Sequence, residues 1–96
     1  MITYIAHLRV APENAAAFEA AIADMARNVR QNEPGVVHYH ASKSCDDPNL
    51  YMVVEVYRDE AAFQAHWETD YIHASVERTK PLIAEGSMDI RRYVSA

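Results

Sequence analysis

Tyr51–Trp67 reads YMVVEVYRDEAAFQAHW. Every residue from Tyr51 to Tyr57 except Glu55 is apolar or aromatic. A run of this length, rich in valine and tyrosine, predicts a strand, and a strand without a polar face must be covered on both sides. Arg58-Asp59-Glu60 then turns the chain, and a short helix carries Phe63, His66 and Trp67. An imidazole and an indole just beyond a buried strand stand where a pocket can form. Glu55 is the one carboxylate within that strand, so proton transfer is the chemistry to look for.

Working outward, residues 2–10 alternate, with Ile2, Tyr4, Ala6, Leu8 and Val10 on one side and Thr3, Ile5, His7 and Arg9 on the other. That period of two predicts a first strand. Pro12 permits a helix start. Phe18, Ala21, Ile22, Met25, Ala26 and Val29 then recur at helical spacing until Pro34-Gly35, which predicts a long amphipathic helix. Val36–Lys43 reads as a second strand, joined to the third, Leu50–Tyr57, through the turn-forming Cys45-Asp46-Asp47-Pro48-Asn49. Asp59 is placed to cap the short helix. Thr69-Asp70 marks a break, after which Ile72, Val76, Thr79 and Ile83 form another helical face, shortened by Pro81. Gly86 ends it, and Met88–Val94 is the last strand.

The order β-α-β-β-α-β over residues 1–96 predicts a single α+β domain: a ferredoxin-like antiparallel sheet with its helices on one face. Helices on one face cannot cover a third strand that is apolar on both. A second copy of the chain, sheet against sheet, is the simplest cover, so a homodimer is expected. Which face of Leu50–Tyr57 meets the helices is left open by the sequence.

Composition narrows the function. Half of the residues are hydrophobic and the formal net charge is −5. Acidity and scattered basic residues disfavour nucleic acid, whose phosphates need clustered Lys and Arg. No apolar run approaches the roughly 20 residues of a membrane span. MITYIAHLRV lacks a basic leader and reads as a strand. Cys45 is the only cysteine, which fits a reducing cytoplasm, and the adjacent Asp46-Asp47 disfavour a reactive thiolate. His38 and His40 share a strand face, with His7 as a third candidate, but no further ligand has metal-site spacing, so no metal is expected. With only Gly35 and Gly86, there is no glycine-rich phosphate loop, and neither flavin nor nicotinamide is indicated. His66 has the strongest claim to chemistry, because an imidazole ionising near about pH 6.5 serves as a general base in neutral solution. Against this stands the reading of His66 as a half-buried structural histidine. Glu55 has two similar readings: it orients a catalytic group, or it pairs with an arginine such as Arg9 or Arg91.

Glu33-Pro34-Gly35 before the second strand, the Asp47-Pro48-Asn49 turn, and Glu55-x-Tyr57-x-Asp59-Glu60-Ala61-x-Phe63-x-Ala65-His66 together resemble the antibiotic biosynthesis monooxygenase family. The resemblance covers nearly the whole chain. It implies a dimeric α+β barrel with a cavity between sheet and helices in each subunit. It also implies an activity: oxidation of a small aromatic quinol or phenol with dioxygen and no cofactor. His66 would be the catalytic base, and Trp67, Tyr71, Glu55, His7 and Phe63 would bind substrate. Other members of the family isomerise small molecules or have no known activity, so an isomerase and a non-catalytic ligand-binding or stress-linked dimer are the alternative expectations. Two positions depart from the family pattern. Tyr71 stands where members often carry a second histidine, and a phenol is a poorer base at neutral pH. Val76 stands where haem-degrading relatives place their axial histidine, so haem is not expected.

Overall fold

The computed structural model describes all 96 residues. Four strands, β1 (Ile2–Arg9), β2 (Val36–Lys43), β3 (Leu50–Tyr57) and β4 (Asp89–Val94), form one sheet in the order β2-β3-β1-β4. Each neighbouring pair is antiparallel. Helices α1 (Ala15–Asn32), α2 (Glu60–Trp67) and α3 (Asp70–Thr79) complete the α+β, ferredoxin-like arrangement.

Local chemistry sets the element ends. Asp59 caps α2 by accepting from the Ala62 amide at 2.9 Å, and Thr69 Oγ1 caps α3 by accepting from the Ile72 amide at 3.4 Å. Pro81 lies in a 3₁₀ turn, Lys80–Leu82, so α3 stops at Thr79. Gly86 supplies the positive φ of 73° needed in the turn before β4.

The register settles which face of β3 meets the helices. Tyr51, Val53, Glu55 and Tyr57 pair with Leu8, Ala6, Tyr4 and Ile2, and the buried members of these rows lie under the helices. Phe18 of α1 packs with Leu8, Val10, Tyr51 and Val53, while Met25 and Val29 pack with Ile72. Glu55 therefore faces inward beneath the helices.

A bulge in β2 re-aims the edge strand. Val36 pairs with Tyr57, but His38 pairs with Val56, so Val37 is the extra residue. Past the bulge Tyr39, Ala41 and Lys43 share the helix-covered face with Glu55, Val53 and Tyr51, and His38 and His40 point to the open side. That open side carries Thr3, Ile5, Met52, Val54 and Val56 at its centre, with His7 and Arg9 exposed. Every residue of β4 is exposed, including Ile90 at 56% and Val94 at 68%.

Candidate active site

The chain leaves α1 at Glu33 with φ −126° and ψ 84°, and this non-helical turn directs the carboxylate inward beneath α2 and α3. Its side chain is 8% exposed, and His66, in the last turn of α2, is 1% exposed. His66 Nδ1 lies 3.0 Å from both Glu33 oxygens. The Tyr71 hydroxyl, in the first turn of α3, donates to the same carboxylate. One glutamate thus joins the end of α1 to both following helices.

The contact also fixes the imidazole. A carboxylate already taking the Tyr71 proton donor offers only acceptor capacity, so Nδ1 carries the hydrogen and Nε2 of the neutral ring is the acceptor. Nε2 makes no hydrogen bond, yet no buried polar side-chain atom lacks a partner. The small accessible area of His66 therefore includes Nε2.

Glu55 forms a second pair: the Tyr57 hydroxyl donates to its carboxylate at 2.5 Å. Burial raises Glu55 above the usual carboxylate range, helped by the negative charge of Glu33 and opposed by the Tyr57 hydrogen bond and His66. Burial likewise raises Tyr57, Tyr39 and Tyr71, with the nearby carboxylates adding to the shift. These phenols stay protonated; Tyr57 and Tyr71 donate to Glu55 and Glu33, while Tyr39 has no hydrogen-bond partner. Aromatic rings surround the imidazole: Tyr57, Tyr39 and Trp67 have centroids 5.6, 6.0 and 6.1 Å from the His66 ring. Phe63 stacks on Tyr4 at 4.6 Å and meets Tyr57 edge-on.

Among the expected site residues, His66, Glu55, Phe63, Tyr71 and Trp67 come together, with Trp67 at the rim and 43% exposed. His7 does not. Its strand position puts it on the open face, across the sheet from His66, because β1 alternates and Ala6 and Leu8 take the inward places. Glu55 pairs with a tyrosine and with neither Arg9, which bonds Asp47, nor Arg91, which bonds Asp89. Sequence reasoning gave no role to Glu33 or Tyr57. A carboxylate immediately before Pro34-Gly35, at the mouth of a helix, was the available signal for Glu33. No three His, Cys, Asp or Glu side chains are grouped so as to hold a metal ion.

The sequence profile of the antibiotic biosynthesis monooxygenases matches residues 1–78. The chain belongs to this family. A family structure from Caulobacter crescentus is 34% identical, with a TM-score of 0.92 over 99% of this chain and 89% of that one. Structures from Nitrosomonas europaea, at 24% identity over 99% of this chain and 98% of that one with a TM-score of 0.87, and Deinococcus radiodurans, at 20% over 100% and 93% with 0.87, share the fold. An uncharacterized Synechocystis protein is 33% identical over 55 residues, which span 57% of this chain and only 37% of that protein's length. Membership and the Caulobacter likeness support a general monooxygenase-like function. No helix of the chain is long and apolar enough to cross a membrane.

Proposed function

We propose that this family member oxidises a small aromatic quinol or phenol with dioxygen, using no cofactor, with His66 as the general base. The observation that carries this reading is the imidazole held at Nδ1 by Glu33 with Nε2 free. In the proposed cycle Nε2 takes the phenolic proton. The electron-rich phenolate passes one electron to dioxygen, the resulting superoxide and phenoxyl radical join at a ring carbon that bears a hydrogen, and the His66 imidazolium returns its proton to the peroxide. Loss of water from the hydroperoxide leaves one oxygen on the ring and yields the quinone, so one phenol and one dioxygen give one quinone and one water. Tyr39, protonated and without a hydrogen-bond partner, supplies a donor for the developing oxyanion. Trp67, exposed at the rim, provides a face on which the ring stacks.

The apolar centre of the open sheet face supports a homodimer, and the unpaired cysteine supports a cytoplasmic protein. An oxygen electrode with a panel of hydroquinones, followed by labelled dioxygen, tests the reaction. Uptake above autoxidation with label in the quinone is expected. Turnover of a substrate that proceeds unchanged under argon would overturn the oxygenase in favour of an isomerase.

A further inference from the structure

We propose that the groove between α1 and the edge strand β2 is a separate binding site for an aromatic carboxylate. This cavity measures about 390 Å³, within the range of small-molecule sites. Phe18, Ile22, Ala26, Tyr39 and Tyr51 make its apolar floor. Three cations, Arg27, Arg30 and Lys43, rim it against a single carboxylate, Glu19. That balance is the reverse of the chain's overall charge of −5.

The cations are not equivalent. Lys43 is bonded to Glu19 at 3.0 Å, and Glu19 is fixed in turn by the Tyr51 hydroxyl at 2.6 Å. Arg27 is paired with Asp24. Arg30 forms neither an ion pair nor a side-chain hydrogen bond, although it borders the same apolar floor. A planar guanidinium beside an aromatic-lined groove suits a planar carboxylate bidentately. The groove lies beside Tyr39, whose ring is the wall it shares with the His66 cluster. Arg30 and Tyr39 line the same groove, whose lining includes neither Glu33 nor Glu55, so a ring on the apolar floor has an unpaired cation within that lining for its carboxylate.

Backbone amide NMR with 2-naphthoate and its neutral counterpart 2-naphthamide tests the site without requiring turnover. Naphthoate is expected to saturate below about 1 mM, as suits a ligand of its size. Shifts should centre on Ala23, Ala26, Tyr39 and Ala41. Naphthamide should bind about tenfold more weakly, and Arg30→Gln should cost naphthoate about the same factor while leaving naphthamide unchanged. Arg30 is exposed, so the variant keeps its fold. Absence of saturation at about 5 mM, shifts centred on His66, or equal naphthoate affinity in Arg30→Gln would each overturn the proposal. So would groove shifts that follow protein concentration alone, which would make the groove a contact between copies.

Discussion

Replacing Glu33 with alanine should be the most destabilising single polar change in the chain. The substitution strands two donors, His66 Nδ1 and the Tyr71 hydroxyl, in a region where His66 is 1% and Glu33 8% exposed. Hydrogen bonds to a charged group contribute about 1.5–3 kcal/mol each. The two contacts share one carboxylate, so their costs do not simply add, and about 3–5 kcal/mol is the expected total. For a domain of this size each kcal/mol lowers Tm by about 4–8 °C, which places the loss above about 12 °C. Glu33→Gln keeps one acceptor and should lose about half as much. Tyr71→Phe added to Glu33→Ala should cost little more, because its partner is already gone. Thermal and urea unfolding at one fixed protein concentration provide the assay, since any dimer makes Tm concentration-dependent. A Glu33→Ala protein melting within about 3 °C of the parent would refute the claim that this carboxylate joins the three helices.

Three further outcomes follow from named contacts. Burial raises the folded-state pKa of Glu55 above its usual 4.5, so the stability tied to this group is fully present below that value and is lost as pH rises through the raised one. The urea midpoint of Glu55→Gln minus that of the parent should therefore grow from acid to neutral pH, and a flat or falling difference would contradict this. A Cβ on Gly35 would meet the Ala62 Cβ at 2.6 Å, so Gly35→Ala should destabilise by about 1–3 kcal/mol, read as a drop in Tm; an unchanged Tm would show that α2 shifts freely. Val54 lies at the centre of the open sheet face, so Val54→Lys should convert a dimer to a monomer in sedimentation at micromolar concentration, and a parent protein already monomeric there would remove the argument for a partner.

The strand–helix order was legible because hydrophobic period alone distinguishes β1 and α1, and because Asp59, Thr69, Pro81 and Gly86 punctuate the second half. The open choice of face for β3 was not, since Val and Tyr populate both sides and only pairing with the alternating β1 decides it. The bulge at Val37 was equally silent: one extra residue turns Tyr39 inward, and nothing in Val36–Lys43 marks it. His66 and Glu55 were recognisable as lone polar residues in apolar surroundings. Glu33 lies 33 residues from His66 along the chain, so its role exists only after α1 and α2 have packed. His7 looked equivalent to a site residue until strand alternation sent it to the far face.

The proposed reaction turns on Nε2 of His66. His66→Gln keeps an amide donor for Glu33 but removes the base. With folding confirmed by an unchanged near-ultraviolet spectrum, quinol-dependent oxygen uptake by this variant is the direct measurement. A general base contributes about 10²–10⁴-fold, so kcat should fall at least a hundredfold, by about two orders of magnitude or more. A folded His66→Gln protein that consumes oxygen at the parent rate would contradict the account.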